Sequence, residues 1–126
     1  MRWIWISIIT IMAGQLWDFI WHYLYGKSDY GVPLPHVLQY LGFLYGVIAA
    51  VQLRLKDKKA NSQLLNVLLV STIAALLGAS WDNFYDHVNG LEKTFSPAHI
   101  LLKIGLASVI VVSGIMTLNQ NNNVQR

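Results

Sequence analysis

At 126 residues the chain holds at most one domain, and 55% hydrophobic residues, a mean hydropathy of +0.44 and only 12% charged residues exclude an ordinary water-soluble fold. The net charge of +3 calls for no nucleic-acid partner, because the cations lie largely where a membrane topology requires them. There is no cysteine, which excludes disulfides and thiolate metal sites.

Four apolar stretches follow in chain order, each near the roughly 20 residues that a helix needs to cross about 30 Å of hydrocarbon. The first runs from Trp3 to Tyr25. Arg2 and the apolar run ending near Ala13 and Gly14 have the form of a signal peptide, but cleavage there would split a segment whose second half carries a repeated motif, so an uncut helix is expected. That half holds Trp17, Asp18, Phe19 and His22. Asp18 and His22 are four apart, which leaves them on one helix face, one turn apart, at ligand spacing. A connection rich in turn formers follows, with Gly26, Ser28, Asp29, Gly31, Pro33 and Pro35.

The second stretch runs from His36 to Leu55, with Pro35 in or just before its first turn, where a missing N–H costs nothing. The third, Leu64 to Phe84, carries Ser71, Ala74, Ala75, Gly78 and Ala79, small residues that let membrane helices approach closely. It ends in a second motif: Trp81, Asp82, Phe84, Asp86 and His87. Here Asp82 and His87 are five apart, and an ideal helix would turn them about 140° from each other. Alignment of Phe19 to His22 with Phe84 to His87 shows one extra residue near Asn83, which a π-bulge can absorb. Without the bulge, Asp86 rather than His87 would share the face of Asp82. The fourth stretch, His99 to Leu118, follows a connection with Asn89, Gly90, Ser96 and Pro97 and contains Gly105, Ala107, Ser108, Ser113 and Gly114. Lys103, four residues after His99, shares its face, while Tyr40 stands at the matching place in the first half. The polar tail 119–126 is expected to fray.

Trp17 and Trp81 are 64 residues apart, and the pairs His36/His99 and Gly42/Gly105 are 63 apart, about half the chain. All four histidines and three of the six acidic residues fall inside this doubled motif, which points to a tandem duplication. The expected fold is all-α: an integral membrane four-helix bundle made of two tandem helical hairpins, 1–61 and 62–118, related by a pseudo-two-fold axis along the membrane normal. Arg2, Arg54, Lys56, Lys58, Lys59 and Arg126 lie on one side and only Lys27 and Lys93 on the other, so both termini are expected in the cytoplasm and the motifs toward the outer face. Trp3, Trp5, Trp17, Trp21, Tyr23, Tyr25, Trp81 and Tyr85 fit interfacial belts, and Trp17 and Trp81, beside the aspartates, are also candidates to wall a site.

Ionisable groups within a membrane are costly, so their confinement to one motif is a functional signal. Each half offers one aspartate and two histidines: Asp18, His22 and His36, then Asp82, His87 and His99. Two imidazoles and a carboxylate suit Zn, Fe, Mn or Cu with positions open for water or substrate. Two such sets would give a dinuclear centre or a ring of candidates round one ion, as in bundles whose metals are held by inward residues of facing helices. Asp86 is a substitute ligand or supporting base, and Lys103, Trp17 and Trp81 flank the site. Haem fits less well, since it needs room for a flat macrocycle between opposed imidazoles. Metal-assisted hydrolytic or oxidative chemistry is one expectation. The alternatives are a non-catalytic subunit or assembly factor of a larger membrane complex, in which the polar cluster fixes hairpin pairing, and a small ion or proton conductor. The expected partners are the lipid bilayer and either other membrane subunits or further copies of the chain.

The string Trp17-Asp18-x-x-Trp21-His22, followed by Pro33-x-Pro35-His36, resembles a pattern of small prokaryotic multi-pass membrane proteins of uncharacterised function. The resemblance covers the two motif-bearing hairpins and implies a prokaryotic cytoplasmic-membrane protein without indicating an activity. The second copy departs from it by the extra residue and by Pro97-Ala98-His99. In size and in its His and Asp residues the chain is also similar to accessory membrane subunits of copper-dependent oxidases or monooxygenases.

Overall fold

Long apolar runs without interior proline satisfy every backbone group locally by forming helices, and four such helices make up the chain in a computed structural model that describes residues 1–25, 34–56, 62–86, 89 and 96–124. They are α1 (Arg2–Tyr25), α2 (Leu34–Lys56), α3 (Ser62–Trp81) and α4 (Pro97–Val124), and a π-helical turn, Asp82–Asp86, extends α3. All four are long and apolar enough to cross a membrane. The π turn contains Asn83, the position where the second motif carries its extra residue. At the C-terminal end α4 continues beyond the apolar stretch that closes at Leu118, through Asn119 to Val124. Each residue added to an existing helix gains a hydrogen bond for one residue fixed, which outweighs the modest propensity of the asparagines.

α1 packs along α2 and α3 along α4; α2 meets α3, whereas α1 and α4 barely touch. Near the chain termini Trp5 Nε1 donates to Thr117 Oγ1 at 3.1 Å, tying α1 to α4 there. The same glycine contacts occur in both hairpins. A Cβ on Gly14 would lie 3.0 Å from both Gln39 N and Pro35 O, and one on Gly78 would lie 2.5 Å from Leu102 N and 2.9 Å from Ala98 O. Backbone therefore rests on backbone, a separation that only glycine permits.

Two apolar layers fill the bundle. Ile4, Ile8, Ala49, Ala50, Leu65, Leu68, Val109, Val112 and Met116 form the layer nearer the termini. Ile11, Phe43, Ala75, Ala79, Leu102 and Leu106 form the next. The outward faces are equally apolar, with Ile9, Leu16, Val70, Leu77, Ile104 and Val111 exposed. Helices that are hydrophobic all round belong in a membrane or a large core.

Candidate functional site

Beside the second apolar layer and beyond it, away from the termini, the four helices spread round a cleft of about 680 Å³. Asp18 comes from α1, His36 from α2, Asp82 from the π turn and His99 from α4, and all four line it. Among the residues that line it, His36, Gln39 and Ala79 are buried, while Met12 and Phe19 on α1 and Lys103 and Ala107 on α4 are exposed along its side. The opening thus lies between α1 and α4, the two helices that barely meet.

Within the cleft the titratable groups pair by hairpin. His36 Nε2 lies 2.9 Å from Asp18 Oδ1, joining α2 to α1. His99 Nδ1 lies 3.2 Å from Asp82 Oδ1, joining α4 to the π turn. Both histidines are the third residue of their helices, which places them at the mouth of the bundle facing the end of the preceding helix. The ring nitrogens turned away from the carboxylates are Nδ1 in His36 and Nε2 in His99.

Ser96 explains the difference between the rings. It stands immediately before α4, and its Oγ accepts from His99 N at 3.2 Å, an N-cap on the third residue of the helix. The same Oγ lies 3.0 Å from His99 Nδ1, holding that nitrogen toward the helix start. Residue 33, the matching position before α2, is proline and offers no such group.

The π turn has its own support. An inserted residue interrupts the regular helical ladder, and the backbone groups it disturbs need other partners. Tyr40 Oη donates to Ala79 O at 3.0 Å and accepts from Asn83 Nδ2 at 3.1 Å. The Tyr40 ring also sits 5.9 Å from that of Phe84, centroid to centroid.

Of the expected site residues, Asp18, His36, Asp82, His99 and Lys103 come together in the cleft. Trp17 and Trp81 do not wall it: both are exposed on the outer faces of their helices and are absent from its lining. α1 is helical through Asp18 and His22, so their one-turn spacing holds, but the side chains of His22 and Asp86, and the whole of His87, lie outside the described residues. Among the described residues no three His, Asp or Glu side chains converge as a set that could hold a metal. The arrangement is two carboxylate–imidazole pairs across one cleft. Gln15, Gln39, Asn83, Tyr40 and Ser96 are the polar contributors that the doubled motif did not mark; an isolated glutamine in an apolar helix was the available signal for the first two. Comparison with family models, curated proteins and solved structures yields no match to any of them.

Proposed function

We propose that the chain is an integral membrane protein, with both termini cytoplasmic, that binds a divalent transition metal in the cleft through His36 and His99. Asp18 and Asp82 orient the two imidazoles. The observation that carries this reading is the pair of Asp–His contacts, at 2.9 and 3.2 Å, delivered to one cleft by four different helices. A metal-binding histidine commonly donates its second N–H to a carboxylate, which fixes the tautomer and makes the ligand nitrogen more basic. The aspartates therefore serve as supports, and the remaining positions on the ion are open to water or substrate. The repeated glycine contacts of Gly14 and Gly78 support descent of the two hairpins from one duplicated unit, related by an axis along the membrane normal.

A second reading has its own observation. Each pair bridges neighbouring segments of one hairpin, so the pairs would also serve as polar clasps in a non-catalytic subunit of a larger complex.

Metal analysis of the purified wild type beside His36→Ala, His99→Ala and Asp18→Asn separates the readings. The metal reading expects stoichiometric metal in the wild type, loss in either histidine variant, and affinity weakened about 10–100-fold in Asp18→Asn, the usual effect of removing an orienting partner. Wild type that carries no metal after incubation with Zn, Fe, Mn or Cu salts and desalting would leave the clasp reading in place.

A further inference from the structure

The cleft is graded in polarity along its length. Asp18, His36, Asp82 and His99 occupy its mouth, while Leu106 and Ile110 of α4 and Met12 of α1 line its deep end. On α4 the lining runs from His99 to Ile110, about 16 Å at 1.5 Å per residue. That is about half of a 30 Å hydrocarbon core. The cleft thus runs from the membrane surface to near the midplane, polar above and apolar below, the same gradient as a single lipid leaflet. Its opening faces sideways between α1 and α4, where Met12, Phe19 and Ala107 are exposed. The sideways opening gives a ligand a path from the bilayer.

The volume decides what fits. A helix about 10 Å wide occupies about 400 Å³ per turn, so about 680 Å³ seats less than two turns of a partner's transmembrane helix. The same volume lies within the usual 300–1,000 Å³ range of small-molecule sites. The cleft mouth combines two carboxylates with two imidazoles and Lys103 at the rim, so no single sign of charge dominates, and donors and acceptors are both present.

We propose that the cleft binds a single-chain lipophile with an uncharged hydrogen-bonding head, of the alcohol or quinol class, drawn laterally from the membrane with its head at the Asp–His pairs. The assignment names the substrate class of the proposed metal site and rests on that reading.

The test uses the full-length protein in phosphatidylcholine vesicles with a long-chain alcohol carrying a mid-chain diazirine. Irradiation and peptide mapping should place the label on Met12, Leu106 and Ile110 above the level on the lipid-facing residues Ile9, Leu44 and Val111. Unlabelled alcohol of the same length should reduce that labelling at least fivefold, and the matching alkane should not. Ala107→Trp, which adds bulk at the exposed rim, should lower it similarly. Labelling spread evenly over the lipid-facing residues, or displaced equally by the alkane, overturns the proposal; the competition arm decides the matter even if the variant does not fold. Metal content of the same wild-type samples reports separately on the metal reading. Bound metal with diffuse labelling sinks only the lipophile, whereas absent metal with focused labelling sinks only the metal.

Discussion

Replacing Gly78 by alanine tests whether the close approach of α3 and α4 sets the geometry of the second Asp–His pair. The new Cβ would stand 2.5 Å from Leu102 N and 2.9 Å from Ala98 O, and both obstacles are backbone, so no side-chain rotation relieves them. Reaching ordinary contact at 3.4 Å requires the helices to part by about 0.9 Å, and the same displacement would stretch the 3.2 Å contact between His99 and Asp82 to about 4 Å. Overpacking of this kind costs about 1–3 kcal/mol, and the upper end applies where backbone must move. Alanine's better helix propensity returns about 1 kcal/mol. The net loss of about 2 kcal/mol corresponds to a fall in Tm of about 8 °C for a chain of this size. Thermal unfolding in detergent, followed by circular dichroism, reads it directly. Gly14→Ala is an internal scale, since its backbone obstacles stand at 3.0 Å and require only about 0.4 Å of movement, its nearest obstacle being the side-chain Cγ of Gln39 at 2.6 Å. Gly114→Ala is the control, with nothing within 4 Å of the new Cβ, and should match or exceed the wild type. A Gly78→Ala protein as stable as the Gly114→Ala control would refute the packing argument and, with it, the claim that this contact positions the pair.

Tyr40→Phe removes the hydroxyl that serves both Ala79 O and Asn83 Nδ2, and should destabilise the protein by about 1–2 kcal/mol in the same unfolding assay; coupling in a double-mutant cycle with Asn83→Ala checks that the loss belongs to this bridge. Deleting Asn83 removes the extra residue of the second motif and turns the segment after Asp82 by about 100° relative to α3. If the π turn serves the proposed metal site, metal content should fall in this variant, and full retention would show that the turn has another purpose. Single cysteines introduced as Ser28→Cys and Ser62→Cys test orientation: an impermeant reagent applied to intact cells should label the first and spare the second, and the reverse pattern would invert the topology.

The helices were legible because an apolar run of membrane-crossing length has few other ways to satisfy its backbone. The interrupted register after Trp81 was legible too, since comparison of the two motif copies isolates one surplus residue, and the structure has its π turn over that residue. What the sequence could not show was which groups meet. Spacing along one helix puts Asp18 and His22 on one face, a pairing that lies outside the described side chains, and the structure adds a partner that spacing does not reveal, bringing Asp18 to His36 across the hairpin. Helical periodicity ranks neighbours within an element, and a partner from the next helix depends on the crossing distance. That distance is set by Gly14 and Gly78, each three residues before a motif tryptophan, positions that look like ordinary small residues until the opposing backbone is seen. The tryptophans misled for a related reason. Adjacency to an aspartate suggested a shared site, but neighbouring helical residues point about 100° apart, and Trp17 and Trp81 accordingly face outward.

The two Asp–His pairs join matching positions in the two halves but are not chemically interchangeable, and the difference originates one turn away from the carboxylates. Ser96 caps α4 and holds Nδ1 of His99, so this ring meets Asp82 with Nδ1 and presents Nε2 elsewhere. Pro33 offers α2 no hydroxyl, and His36 meets Asp18 with Nε2. Lys103 at the cleft rim has Tyr40 at its matching position, and Tyr40 is engaged with Ala79 and Asn83 at the π turn, an irregularity that α1, α-helical through Tyr25, does not share. Each departure from symmetry is therefore linked to another: the surplus residue makes the π turn, the π turn takes Tyr40 as its support, and the residue at the corresponding place in α4 is left to carry charge at the rim of the cleft. The two imidazoles are therefore unlike, His36 turning Nδ1 and His99 turning Nε2 away from its carboxylate. Under the proposed function such a site would distinguish the two sides of an asymmetric ligand, which a strictly repeated pair would not do.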